Sequence, residues 1–279
     1  MLIFEEIQPL RDHLSKAKKT SAIVGFVPTM GALHDGHASL VKRAKGQCDV
    51  VVCSIFINPT QFNSEEDYNK YPVSIEADKA LLESIGCDVL FCPSKEVIYT
   101  NVPGIKFSFP SLDDSMEGAY RPGHFSGVAL VVSKLFNIVQ PDKAYFGLKD
   151  LQQLRIIQQL VVDLAFPIDI IPVEIMRETG GLAQSSRNRR LSQHGQERAS
   201  YINECLSNIE KDVLGGQSFM SIKNTYISGL TSEGFEVDYL ELVDVKTLKP
   251  VMNKSENNSV AICVAAWLEG VRLIDNRIF

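Results

Sequence analysis

The segment PTMGALHDGH, residues 28–37, sets two histidines, His34 and His37, three positions apart where a helix is expected to begin. That pairing allows three chemistries: a metal site, a proton shuttle, or a grip on phosphate. Metal is the weakest of these. A helical metal pair normally sits inside a helix beside a carboxylate, whereas the only local acid is Asp35, whose oxygens are expected to be engaged as the helix N-cap. At a helix start the free backbone N–H groups and the helix dipole already favour an anion. Surface imidazoles or satisfied caps are the plainer reading of the pair, and its setting at a strand end is what favours phosphate.

Two further groups suit an anion. Lys149, in GLKD (147–150), falls at a strand-to-helix turn, with Asp150 placed to cap the helix. A lysine there opposes the helix dipole, so phosphate explains it better than helix stability does, with a solvated lysine as the alternative. The run QSSRN (184–188) offers the hydroxyls of Ser185 and Ser186 and the planar guanidinium of Arg187. It reads as a phosphate grip or as a serine-rich turn. The G-x-x-x-x-G-K-[ST] pattern is missing, and no G-x-G-x-x-G follows the first strand, so a bound nucleotide must be held in another way.

These residues need elements to position them. Residues 23–27 read as a buried strand, followed by a helix carrying Leu40, Val41 and Ala44 on one face. The apolar run VVVCSIFI (50–57) reads as a parallel strand covered on both faces. A helix bearing Ile75, Leu81, Leu82 and Ile85 ends at Gly86, and CDVLFCP gives the third strand. After a segment with few periodic signals (94–120) come an apolar helix stopped by Pro141, a short strand KAYFG, a helix from 150 to 164, and the strand IDIIPVEIM. Alternation of this kind predicts a Rossmann-like, doubly wound parallel sheet over residues 1–175. From 176 a polar loop leads to helices near 194–213 and 217–230 and then to three strand-like runs, so residues 176–279 are expected to form a smaller α+β domain. In an open parallel sheet ligands bind outside the carboxyl ends of the strands. PTMGALHDGH, NPTQF and GLKD occupy three such ends, and QSSRN lies in the loop before the second domain.

Composition narrows the function classes. The chain has 279 residues, 45% of them hydrophobic and 22% charged, with a net charge of −6. Nothing here suggests bulk binding to nucleic acid or to an anionic membrane, so an anionic substrate must be held by a local positive site. The N-terminus lacks a signal-peptide pattern, and the apolar stretches fall short of the roughly 20 residues that span a bilayer. A cytoplasmic protein is expected. The six cysteines form no Cys-x-x-Cys, and four lie in or beside apolar runs, which reads as small buried hydrophobes in a reducing compartment.

Taken together, PTMGALHDGH, SIFINPTQF, YP (71–72), RPGHFSGV, VQPDKAYFGLKDLQQL and GLAQSSRN resemble the pantoate–β-alanine ligases, in order over residues 23–192. HDGH stands where the wider nucleotidyltransferase superfamily carries His-x-Gly-His. The resemblance implies a two-step reaction: ATP and pantoate give pantoyl adenylate and pyrophosphate, and β-alanine then releases pantothenate and AMP. It implies that Met30, Gly31, His34, His37, Gly147, Lys149, Asp150, Gln184, Ser185, Ser186 and Arg187 contact ATP, with His34, His37, Lys149 and Arg187 acting in catalysis. Gln61, Gln153 and Asn58 are implied for pantoate, Gln61 also for β-alanine, and Asp78 as a contact for the magnesium that accompanies ATP. A homodimer and a C-terminal lid are implied as well. Three positions depart from the family pattern: Leu148 replaces Glu, Gly180 replaces Asp, and Gln184 replaces Met. A simple nucleotidyltransferase of the same superfamily, or a nucleotide-binding regulatory protein without catalysis, are the alternatives.

Overall fold

The computed structural model describes residues 1–255 and 258–279. In chain order the elements are β1 (Leu2–Phe4), α1 (Ile7–Lys19), β2 (Val24–Thr29), α2 (Asp35–Lys45), β3 (Val50–Ile55), α3 (Glu65–Asn69), α4 (Ile75–Ser84), β4 (Val89–Phe91), α5 (Lys95–Ile98), α6 (Met116–Tyr120), α7 (His124–Val139), β5 (Lys143–Gly147), α8 (Leu151–Asp163), β6 (Asp169–Val173), α9 (Gln193–Ala199), α10 (Tyr201–Leu214), α11 (Phe219–Ser232), β7 (Glu236–Asp244), β8 (Val260–Leu268) and β9 (Val271–Ile278). By their internal contacts the residues group into two units. The first comprises Met1–Phe109, Arg121–Leu148 and Gln153–Glu174; the second comprises Pro110–Tyr120, Lys149–Gln152 and Ile175–Phe279.

The first unit is built on a six-stranded sheet in the order β1-β4-β3-β2-β5-β6, with every pairing parallel. Its strands are apolar on both faces because helices cover both. Val24, Phe26, Val51, Val52, Val89 and Leu90 are completely buried, as a doubly wound sheet demands. The strand order reverses at β2, with β3 on one side and β5 on the other, and such a switch point is where ligands enter. β5 pairs with β2 at Gly25 and Phe26, so Pro28 lies past the paired stretch on that side, where its missing N–H costs little.

The expected doubly wound sheet is present, with differences at its margins. β1 is three residues at the sheet edge, too short for an apolar period to register. The first expected strand lies one residue further on at its start and extends to Thr29. The segment 94–120 contains the short helices α5 and α6. α7 ends at Val139, and its C-cap Gln140 turns left-handed at φ +50 just before Pro141.

In the second unit α10 and α11 cover one antiparallel sheet, β7-β8-β9. Ile202, Leu206 and Ile209 of α10 pack with Leu240 of β7 and Ile262 and Val264 of β8 in one core. β8 is the central strand and is buried along nearly all its length. Cys53, Cys87, Cys205 and Cys263 are buried, and burial pushes the thiol of Cys87 up to about 11 and that of Cys205 to about 12. They stay protonated and behave as small hydrophobes.

Candidate active site

The loop after β2 carries the histidines on an unusual backbone. Gly31 and Ala32 are both left-handed, at φ +82 and +49. Glycine accepts this freely, whereas alanine is strained by an amount on the order of 1 kcal/mol. The strain is held by Asp78, in the first turn of α4 and only 2% exposed. Its Oδ2 accepts the Ala32 N–H and its Oδ1 the Leu33 N–H, both at 2.8 Å, and Ser74 Oγ donates to Oδ1 at 3.0 Å. Thr29 Oγ1 adds a further tie, donating to the Ser54 carbonyl at 2.7 Å and accepting the Gly31 N–H at 3.2 Å.

At the next step the structure corrects the expected cap. His34, not Asp35, is the N-cap of α2: it is extended, and its Nδ1 accepts the Gly36 N–H at 3.1 Å. The left-handed turn delivers the chain to the helix one residue earlier than composition suggests, so Asp35 is already helical. With Nδ1 accepting, the proton of the neutral imidazole sits on Nε2, which becomes a donor. The rings of His34 and His37 lie 4.1 Å apart at 42°.

The loop after β3 forms the second part of the first unit's site. Asn58 is 1% exposed and Gln61 8%. Asn58 Nδ2 donates to Gln61 Oε1 at 3.0 Å, and Gln61 Nε2 lies 3.0 Å from Met30 Sδ. Met30, Asn58 and Gln61 are thus brought together. Sequence reasoning missed three supporting residues. His124 Nδ1 meets the Gln61 carbonyl at 2.8 Å, Tyr99 donates its hydroxyl proton to Asn58 Oδ1 at 2.8 Å, and Gly127 lies against the 59–61 turn, where a Cβ would come 2.2 Å from the Thr60 carbonyl oxygen. RPGHFSGV contains two of these residues, and their clustering in a distinctive motif was the available signal.

Gly147 closes β5, and a Cβ there would stand in open space. Gln153 is the third residue of α8 and half-buried.

Lys149, Asp150 and the Gln184–Arg187 stretch belong to the second unit. Residues 148–150 form a 3-10 turn that runs straight into α8, so Asp150 lies within the turn and is not the cap expected of it. The Lys149 carbonyl accepts Asn276 Nδ2 at 2.8 Å. Residues 176–184 form a tight hairpin, closed by Gln184 N–H to the Met176 carbonyl at 2.9 Å and by an Arg177–Ala183 bridge. Arg177 anchors it through a bidentate pair with Asp275, at 2.6 and 3.0 Å. Ser185 Oγ then accepts the Arg187 N–H at 3.3 Å, capping a 3-10 turn over Ser186–Arg190. As the acceptor in that bond, the Ser185 hydroxyl keeps its own proton to donate. A Cβ at Gly180 would lie 2.8 Å from Ser200 Oγ, so the aspartate usual in the family pattern would need Ser200 to move.

Asp78, expected as a magnesium contact, has both carboxylate oxygens engaged by the donors of the β2–α2 loop and Ser74. Among the described residues no group of three or more His, Cys, Asp or Glu side chains could hold a metal ion.

A doubly wound parallel sheet with two imidazoles at the helix start beside its switch point defines a Rossmann-like α/β protein of the nucleotide-handling kind. The Pantoate-beta-alanine ligase family matches residues 2–278. The pantothenate synthetase of Cytophaga hutchinsonii is 49% identical over 99% of this chain and 98% of its own length, and that of Leptospira biflexa 45% identical over 100% and 99%. The pantothenate synthetase structure from Thermus thermophilus superimposes with a TM-score of 0.92, at 39% identity over 99% of both chains. The Francisella tularensis ligase, solved as a complex with beta-gamma ATP and beta-alanine, gives 0.84 at 37% identity over 100% and 97%. The chain belongs to the pantoate–β-alanine ligase family.

Proposed function

We propose that the chain condenses pantoate with β-alanine in two steps that use ATP. In the first, a pantoate carboxylate oxygen attacks the α-phosphorus, and the bond to pyrophosphate breaks. In the second, the β-alanine nitrogen attacks the acyl carbon, the bond to AMP breaks, and the amine loses a proton as pantothenate forms. No covalent enzyme intermediate is needed. The protein has to align substrates, stabilise charge on phosphate and keep water from the adenylate.

The observation that carries this reading is the junction of the two imidazoles at the start of α2 with the Asn58–Gln61 amide pair, through the Gln61–Met30 contact at 3.0 Å. His34, through its Nε2–H, and His37 donate to the phosphates, and Lys149 and Arg187 supply positive charge there. Met30, Gly31, Gly147, Asp150, Gln184, Ser185 and Ser186 complete the ATP contacts. Gln61 and Gln153 hold pantoate, and Gln61 also borders β-alanine. Residues 1–175 bind ATP and pantoate, and 176–279 act as a lid.

Magnesium enters with the triphosphate, since Mg²⁺ is commonly held by one or two carboxylates and substrate phosphates, not by a protein cage. When bound it neutralises phosphate charge. Asp78 is read as the anchor of the Gly31–Leu33 backbone and not as a metal ligand. The working form is read as a homodimer. Among the described residues no helix is long and apolar enough to cross a membrane, and the cytoplasm is the proposed location.

One assay pair tests the reaction. Exchange of labelled pyrophosphate into ATP is expected to require pantoate, and AMP release is expected to require β-alanine in addition. Exchange that proceeds without pantoate would sink the substrate assignment.

A further inference from the structure

We propose that Tyr99 is a positioning residue for the acid substrate: acting through Asn58, it braces the amide pair that turns the Gln61 NH₂ toward the ligand. The proposal rests on the reading of Gln61 as a pantoate contact and assigns that contact a polarity.

The argument is an accounting of donors and acceptors. An asparagine amide has an oxygen end that accepts and a nitrogen end that donates. At Asn58 both ends meet main-chain groups of fixed character. Oδ1 accepts the Thr60 N–H at 3.3 Å, and Nδ2 donates to the Gly127 carbonyl at 3.1 Å. An N–H can only donate and a carbonyl can only accept, so the amide has one possible sense. The second Nδ2 proton then requires an acceptor, and the atom opposite it, at 3.0 Å, is Gln61 Oε1. Flipping Gln61 would set two NH₂ groups against each other.

The Gln61 NH₂ must therefore point the other way, where it meets Met30 Sδ at 3.0 Å. A thioether is a weak acceptor, a partner readily exchanged for a carboxylate or hydroxyl oxygen. Gln61 thus offers donors to the substrate, and the atom it reads must be an acceptor. The main-chain carbonyl of Gln61 is held by His124 Nδ1 at 2.8 Å and Arg121 at 3.5 Å, which fixes the backbone that carries the side chain.

Tyr99 stands at the outer end of this chain. Its hydroxyl donates to Asn58 Oδ1 at 2.8 Å, the shortest of that oxygen's contacts, and lies 3.3 Å from Thr60 Oγ1. The ring is placed by Phe56, at 6.1 Å between centroids, and by the Lys134 ammonium 5.4 Å above it. Ring packing would be served equally by phenylalanine; the hydroxyl braces Asn58 Oδ1, which also accepts from Thr60 Oγ1 at 3.0 Å.

The test is Tyr99→Phe, assayed by pantoate-dependent pyrophosphate exchange. The KM for pantoate is expected to rise roughly three- to ten-fold, the loss expected for one net hydrogen bond, with kcat and the KM for ATP unchanged. A pantoate KM within about twofold of the parent, or an equal rise for ATP, overturns the relay. A second readout is independent of turnover: the side-chain ¹⁵N–¹H₂ resonances of Gln61, assigned by their loss in Gln61→Glu, should shift in Tyr99→Phe. Unmoved resonances overturn the relay as well. A parent protein that exchanges without pantoate would instead overturn the substrate reading, with the resonance shift still deciding the relay.

Discussion

The geometry at His34 allows two roles at once, because one ring nitrogen closes the helix and leaves the other as a donor. Nδ1 takes the Gly36 N–H, an orphan donor that would otherwise be unsatisfied at the helix start. Nε2–H is then directed by the same bond that fixes the tautomer. The two roles can be separated by substitution. Asparagine is among the best capping residues, so His34→Asn should retain the thermal midpoint while removing the imidazole donor. Its pyrophosphate exchange is expected to fall about 10²–10³-fold, the cost of losing one preorganised donor to a developing charge. His34→Ala should lose as much activity and in addition about 1 kcal/mol of stability with the cap. Single-turnover rates and melting curves on both variants measure this. Full activity in His34→Asn would remove His34 from the phosphates. The cap itself was not legible in the sequence: Asp35 has the stronger capping propensity, and only the left-handed pair at Gly31 and Ala32 makes His34 the last extended residue.

The turn between β2 and α2 is shaped by a neighbouring helix as much as by its own residues. Asp78 reaches it from α4, 45 and 46 positions further along the chain. Two backbone N–H groups on one carboxylate make charge-assisted bonds, about twice as strong as neutral ones, and this is what holds Ala32 in a conformation it disfavours. Asp78→Asn keeps the shape and presents an NH₂ to one of those N–H groups. Such a buried mismatch costs roughly 1–3 kcal/mol, so stability should fall and the KM for ATP should rise as the histidines lose their register. Magnesium separates the two readings of this residue. Added Mg²⁺ should not restore the variant if Asp78 is an anchor; recovery at high Mg²⁺ would make it a metal contact after all. At this scale the sequence was informative where periods are long and poor where pairing decides. β2, β3, β5 and α7 stand out as apolar runs, whereas β1, three residues long, and the order of the strands depend on partners far away in the chain. The same holds for Tyr99 and His124, whose bonds to Asn58 and Gln61 span 41 and 63 positions.

Across the molecule, the second unit is assembled from three separate pieces of chain, and charge holds one of them in place. The chain passes between the units after Phe109, Tyr120, Leu148, Gln152 and Glu174. The Pro110–Tyr120 piece carries Glu117, which is paired with Arg272 of β9 at 2.7 Å and accepts the Tyr239 hydroxyl at 2.9 Å. Arg272 Nε also meets Asp238 at 2.7 Å, at the point where a bulge between Val237 and Tyr239 shifts the register of β7. None of this was visible in composition, because Glu117 and Arg272 lie 155 positions apart and read singly as surface charges. Their side chains are 10% and 14% exposed. Two acids in so dry a place need their cation: removing one partner of a buried pair typically costs about 3–5 kcal/mol, because the remaining charge is left uncompensated. Trp267, the chain's one tryptophan, pairs across the sheet with Arg272 and donates its indole N–H to Asp238 at 3.2 Å, so its emission reports on this network. Arg272→Met should therefore shift the Trp267 emission already in the native state and lower the urea midpoint read through it. Replacing Glu117 with Gln in the same chain should recover part of the loss, since one of the two stranded carboxylates is then gone. A loss below about 1 kcal/mol, the range of solvated surface pairs, with no recovery in the double variant, would show that the Pro110–Tyr120 piece is held by packing alone.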